Sequence, residues 1–538
     1  MPVVGYSYRP VAYGTHGLVA AAHPFATLAG LDVLRSGGGV VDAAIAVNAV
    51  LAVVQPQMCG LGGDLFVLYR DALTGEVSFL NAAGRSGARA TPGALRQRGL
   101  GALPLTGPLA VSVPGGVAGW GALTARLGTR SLGDLLKPAI ALAEDGFPVS
   151  DLLAQTIAER RDEIEDPEWH RIYAPDGRGP RAGELLRQPD LARSLARVAE
   201  DGADAFYRGE LAARIVRHVE AGGGFLTTDD LAGHVARWQA PLCATYRDAT
   251  VYQTPPPTQG LTLLQALNLV EGFDLAALAP GSADHLHLLV EATKLAYADR
   301  DRYLGDPDHV VVPVAGLLDK TYAGHRRVLV RPRRVAPTVL PGDLAGDTTG
   351  FVVATSDGSM LAGIQSLYWA FGSGVVPPGT GITLHNRGAS FSLDPASPSV
   401  LAPGKQPLHT LIASLALRGG TPVAALATMG GHGQPQTHLQ VLVNILDFGM
   451  DPQEAVERPR VIQGRFRHTD PADRLRVEAR VSARTVATLR RRGHHIDVVA
   501  ERAHVMGHAH ALTFRSTPAG AVLAGGADPR GDGLALGY

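Results

Sequence analysis

The sequence predicts a layered α/β pattern, on three observations. Apolar residues recur at helical spacing in several long stretches. Short apolar runs bounded by turn residues alternate with them. No fixed period of about 20–50 residues repeats, which excludes a solenoid or propeller. The chain has 538 residues, 46% of them hydrophobic. That supplies a large core and excludes a disordered chain.

Taken in order, Ala26–Leu34 carries apolar residues at helical spacing, and Gly37-Gly38-Gly39 stops it. A second helix over Val41–Val54 ends before Pro56. After Gly60-Leu61-Gly62-Gly63 come two strands, Leu65–Leu68 and Val77–Leu80, joined by a turn over Asp71–Gly75. Leu132–Gly202 is mostly helical, and the charge run Glu159–Glu165 is a solvated face. The rigid turn Thr254–Gly260 leads into a helix from Leu261, and a long helix follows over His285–Tyr303. Arg331–Asp347 holds three Pro and two Gly with little periodicity, and reads as a loop or linker. Thr348–Thr355 then turns sharply to strand, with a hairpin signal at Ser356-Asp357-Gly358-Ser359 and a return strand over Met360–Phe371. A two-residue loop at Asp357-Gly358 places Thr348 opposite Leu367, with Ser366 and Tyr368 flanking that partner. In that register both side chains point to the other face, and a one-residue slip or a bulge brings one of them to the Thr side.

Charge is balanced, with 49 Lys+Arg against 50 Asp+Glu. This gives no reason to expect a nucleic-acid partner. Only Cys59 and Cys243 are present, too few for a disulfide framework, which favours a reducing compartment. Met1–Thr15 lacks the basic and apolar regions of a secretory signal, and no run reaches about 18 apolar residues. The expectation is a cytoplasmic chain without a membrane span. His494-His495 and His504, His508 and His510 do not match a compact zinc spacing, so no metal is expected. Gly60–Gly63 lacks the Lys of a phosphate-binding loop and the dinucleotide fingerprint.

Several motifs in one order carry a resemblance. They are Gly-Gly-Gly-Val-Val-Asp-Ala-Ala at 37–44, Gly-Leu-Gly-Gly at 60–63 and Pro-Pro-Pro-Thr-Gln-Gly at 255–260. Ala298-Asp299-Arg300 with Tyr303–Pro307, then Asp347-Thr348-Thr349, Phe371–Gly374 and Met429-Gly430-Gly431 complete the set. The chain resembles the γ-glutamyltransferases of the N-terminal-nucleophile hydrolase class over nearly its whole length. The resemblance implies an α+β fold, the four-layer αββα sandwich, and a precursor that cuts itself between Asp347 and Thr348. Residues 1–347 would be the large subunit, with 331–347 a mobile linker, and 348–538 the small one. The two would form an intertwined heterodimer, with a higher homo-oligomer left open. Thr348 would be the nucleophile and its freed amine the base, since an α-amine titrates near pH 8. Ser366 matches a hydroxyl that bonds the nucleophile, and Gly430 and Gly431 match paired oxyanion donors. No cofactor is implied.

The departures bear on substrate. Tyr368 stands at an Asn position of the transferases, Arg387 at a Gln, and Ser390 at the Asp that binds an α-ammonium. His409 and Thr410 replace a Ser-Ser pair that holds the α-carboxylate. Ala83 sits at the position of a carboxylate-clamping Arg, with Arg85 two residues on. Losing the Asp removes the counter-charge for an ammonium, and Arg387 disfavours one further. Arg offers a carboxylate a bidentate fork. The expected substrate is a small amide whose acyl group bears a carboxylate and no free α-amine. Asn386–Ser392 resembles the amidohydrolase and acylase branch, which includes oxamate amidohydrolases and cephalosporin acylases. A true γ-glutamyltransferase acting on glutathione-like compounds, a cephalosporin acylase-like enzyme, and an unprocessed binding protein are the alternatives.

Overall fold

The computed structural model describes residues 7–175, 177–336, 347–464, 473–518 and 520–538. Two seven-stranded antiparallel sheets stack face to face. In spatial order the first runs Leu534–Gly537, Gly17–Ala21, Asp347–Thr355, Met360–Tyr368, Asp64–Arg70, Val77–Ala82 and Arg237–Gln239. The second runs Ala12–Gly14, Gly520–Ala527, Ala509–Thr517, Thr421–Thr428, Ala413–Arg418, Ala249–Gln253 and Leu242–Tyr246. Between them lies an apolar layer that includes Phe66, Leu68, Val352, Ile364, Leu411, Leu415 and Leu512. Helices Pro24–Arg35 and Val40–Val54 cover the outer face of the first sheet. Helices Gly260–Val270, Ala283–Tyr303 and Gln434–Leu446 cover the second. This is the αββα sandwich. Its central strands are buried on both faces, so they read as continuous apolar runs such as Leu18-Val19-Ala20-Ala21.

Helix Val40–Val54 is buried along its entire length. Its start is fixed by Asp42, whose carboxylate accepts from the Gly39 N–H at 2.9 Å and from the Thr129 N–H at 2.9 Å. The Gly39 N–H is one of the helix-start donors that needs such a partner, and the Thr129 bond ties a neighbouring loop to the same carboxylate.

The hairpin departs from its expected register. The pairs run Ala354↔Met360 through Thr349↔Gln365, one residue away from the two-residue-loop prediction. The cause is a longer turn: Thr355 N–H donates to Ser359 O at 3.0 Å, and Gly358 takes φ +97. The Asp357 carboxylate accepts from the Ser359 N–H at 2.9 Å and the Thr355 hydroxyl at 2.7 Å. A further shift between Asp347 and Thr349 brings Asp347 opposite Tyr368. The return strand stops at Tyr368 and does not reach Phe371, because Tyr368 (φ +81) and Phe371 (φ +59) adopt left-handed backbone.

Gly350 sets the spacing of the two sheets beside the strand start. A Cβ there would lie 2.9 Å from Ala427 Cβ and 3.0 Å from Thr428 N. The head of the Asp347–Thr355 strand therefore meets the end of Thr421–Thr428, which leads into Gly430-Gly431. Of the expected linker, Arg331–Ala336 is described, with Val335 N–H donating to Arg492 O at 2.9 Å, while 337–346 lies outside the described residues.

Candidate active site

Thr348 and Thr349 point to opposite sides of the first sheet, as strand alternation requires. Thr349 faces the helical layer, its hydroxyl donating to Gln55 Oε1 at 3.0 Å. Thr348 is 2% exposed, and its Oγ1 donates to Ser366 Oγ at 3.1 Å. The same Ser366 oxygen accepts from the Tyr368 N–H at 2.7 Å. The register slip is what brings Ser366 to the Thr348 side.

Tyr368 turns its ring under Arg387, whose guanidinium carbon lies 4.2 Å from the ring centroid. Arg387 is fully buried. Its Nη1 donates to Thr410 Oγ1 at 3.1 Å, whereas its Nε and Nη2 have no partner among the described residues. Burial lowers its pKa to about 10, so it remains a cation at neutral pH. Ser390 Oγ lies 2.8 Å from Arg387 O and 3.0 Å from Leu408 O, and so braces the backbone that carries Arg387.

Asp64 pairs with Ser366 across neighbouring strands. Its Oδ1 accepts from the Gly84 and Gly115 N–H groups, both at 3.1 Å. Its Oδ2 lies 3.6 Å from His385 Nδ1 and 3.7 Å from His409 Nε2, with no hydrogen-bond partner among the described residues. Burial pushes the Asp64 pKa up, opposed by the charges of His385 and Arg387. Burial, with Arg387 and His385 nearby, holds His409 well below the usual histidine range and therefore neutral. Neither ring nitrogen of His409 has a partner among the described residues. Thr348, Ser366, Tyr368, Arg387, His409 and Thr410 thus belong to one continuous set of contacts rich in unused polar atoms.

Gly430 (φ +142) and Gly431 (φ +51) form the turn after Thr428, a backbone path that a side chain would strain. Neither of their N–H groups has an acceptor among the described residues. Arg85 stands apart from these groups in its bonding: it pairs with Asp306 at 3.1 Å and Asp308 at 2.6 Å and donates to Gly404 O at 2.9 Å. Its charge is compensated before any substrate arrives.

Sequence reasoning missed Asp64 and His385, and gave no role to Gln259 and Arg300, which lay inside quoted motifs. It also missed a buried cluster of His287, Glu291 and His494, which helix Ala283–Tyr303 and the residue just before strand His495–Val499 bring together. There His287 Nδ1 lies 2.7 Å from His494 Nε2. Glu291 is already engaged by Lys294 Nζ and by the Ala336 N–H, both at 2.7 Å. Among the described residues, no helix is long and apolar enough to cross a membrane. Cys59 is buried and Cys243 exposed, both as free thiols.

Comparison with known proteins agrees with this architecture. The family model described as gamma-glutamyltranspeptidase matches residues 26–538. A glutathione hydrolase-like proenzyme, YwrD of Bacillus subtilis, is 41% identical over 97% of this chain and 99% of its own. The oxamate amidohydrolase proenzyme of Klebsiella pneumoniae is 38% identical over 97% of this chain and 99% of its own. The crystal structure of a cephalosporin acylase from Bacillus halodurans superposes with TM-score 0.92 at 38% identity, covering 100% of this chain and 99% of that one. With the αββα sandwich and a buried Thr at the head of a central strand, these matches show that the chain belongs to the γ-glutamyltranspeptidase family of N-terminal-nucleophile hydrolases.

Proposed function

We propose that this chain is a self-cleaving amidohydrolase, acting on a small amide whose acyl group carries a carboxylate and no free α-amine. The observation that carries the substrate class is Arg387: a buried cation, stacked on Tyr368 and steered by Thr410, with two nitrogens lacking an acceptor among the described residues. The Asp64 carboxylate attracts this cation but makes no hydrogen bond to it, and a substrate carboxylate would supply the missing acceptors. Position 390 offers no carboxylate, since Ser390 braces the backbone there, and the charge of the Asp64 carboxylate beside the site is opposed by burial. The match to an oxamate amidohydrolase supports the same class, since a carboxylate adjoins the scissile amide in oxamate.

Cleavage between Asp347 and Thr348 would release two chains that stay together, as the proenzyme relatives suggest. The freed Thr348 amine takes the Oγ proton as Oγ attacks the amide carbon. The Gly430 and Gly431 N–H groups stabilise the oxyanion, a role worth about 3–4 kcal/mol per donor in comparable sites. The amine returns its proton to the leaving nitrogen, and water resolves the acyl-enzyme. Ser366 holds the nucleophile's rotamer.

The test compares ammonia release from oxamate with anilide cleavage from γ-glutamyl p-nitroanilide, using matured protein. Turnover of oxamate, or of another α-amine-free carboxylate amide, with little on the anilide is expected. Efficient anilide cleavage and none of the carboxylate amides would contradict the substrate class and favour a γ-glutamyltransferase.

A further inference from the structure

The Gly430-Gly431 turn is not held by its own sequence alone. Gln259, at the start of helix Gly260–Val270, is fully buried. Its side-chain amide has two hydrogens, and both are used: Nε2 donates to Gly431 O at 2.9 Å and to Thr410 O at 2.9 Å. Its Oε1 accepts from Arg300 Nη1 at 3.1 Å. The same Arg300 nitrogen lies 3.0 Å from His432 Nδ1, and the Arg300 guanidinium sits 4.3 Å from the Tyr297 ring centroid. Tyr297 in turn donates its hydroxyl to His432 O. The backbone of Gln259 docks too, its N–H donating to His409 O at 3.2 Å.

One amide therefore joins the turn offering the Gly430 and Gly431 N–H groups to the segment whose Thr410 hydroxyl steers Arg387. Arg300 fixes which way the amide points, because only Oε1 can accept from a guanidinium. We propose that Gln259, oriented by Arg300, is a positioning residue that locks the oxyanion turn and the carboxylate-binding segment into one unit. Substrate anchoring at Arg387 and oxyanion stabilisation at the turn would then share a single fixed geometry. Gln259 touches neither substrate nor reacting atoms and acts through Gly431. This rests on the amidohydrolase reading and extends it to residues of 1–347, which would have to hold the site after cleavage.

The test uses Gln259→Glu, which keeps the shape but removes both donor hydrogens, and Gln259→Leu as a second variant. Matured proteins are acylated with p-nitrophenyl acetate, whose reaction with Thr348 does not depend on the natural acyl group. The rate constant, half-saturation and thermal midpoint are recorded. The acylation rate constant is expected to fall roughly 10–100-fold, with half-saturation within about three-fold and the midpoint within a few degrees, since small misplacements of a catalytic array cost this much. Arg300→Lys, which keeps one donor to Oε1, should recover more rate than Arg300→Met. Rates within two-fold of wild type overturn the proposal, as does a loss that only tracks a fall in midpoint. Variants that fold normally but no longer mature would move Gln259 to chain cleavage and overturn it as stated. A matured wild type that is never acylated at Thr348 removes the amidohydrolase reading, and this proposal with it.

Discussion

At the scale of single residues, the account turns on a hydroxyl and a cation. Thr348→Ala should leave one unbroken chain with no turnover, read by intact mass and by ammonia release. Arg387→Met should raise KM for a carboxylate-bearing amide by about 10–100-fold, because a hydrogen bond to a charged group is worth about 1.5–3 kcal/mol. The same variant should leave p-nitrophenyl acetate acylation within a few-fold, which separates anchoring from chemistry. Several of these residues were legible in the sequence: Thr348, Ser366, Gly430, Gly431 and Arg387 stood in motifs or at informative departures. Asp64 and His385 were not, because their significance lies in an Asp64 oxygen that folding sets beside imidazoles with no hydrogen-bond partner among the described residues. A carboxylate oxygen 3.6 Å from one imidazole and 3.7 Å from another has no signature in residue order.

At the scale of elements, the hairpin of Asp347–Thr355 and Met360–Tyr368 decides whether Thr348 meets its partner. The sequence predicts both strands and the turn between them. The register depends on turn length, and Asp-Gly suits both two- and three-residue loops. That ambiguity of one residue, with the shift between Asp347 and Thr349, decides whether Ser366 comes to the Thr348 side. The close approach of the second sheet is another element property. Gly350→Ala should cost about 1–3 kcal/mol in denaturant unfolding, since its Cβ would sit 2.9 Å from Ala427 Cβ. It should slow maturation as well, because the displaced backbone is two residues from Thr348. Electrophoresis of freshly purified protein would follow that rate.

At the scale of the whole molecule, four layers bury many histidines in neutral form. Burial lowers the pKa of His438 to about 3 and that of His510 to about 4, against 6.5 for a free side chain. The unfolded chain therefore binds protons that the folded one refuses as pH drops below 6.5. Stability from these groups is fully present above about pH 6.5 and is lost as pH falls toward 4, by up to about 1.4 kcal/mol per pH unit for each histidine. The thermal midpoint should fall markedly between pH 7.5 and pH 5, where most carboxylates still carry their charge. A midpoint flat across that range would contradict the neutral-histidine picture. The sandwich itself was legible through the ordered motifs, whereas helical and strand periodicity alone gave only its layered character.

The proposed chemistry requires Thr348 to become an N-terminal residue and then to carry the acyl group. Intact-mass measurement of purified protein, before and after a brief reaction with p-nitrophenyl acetate, tests it most directly. The account predicts two fragments divided between 347 and 348, with the acetyl mass added only to the fragment beginning at Thr348. A single chain of 538 residues that nonetheless hydrolyses its amide substrate would contradict it.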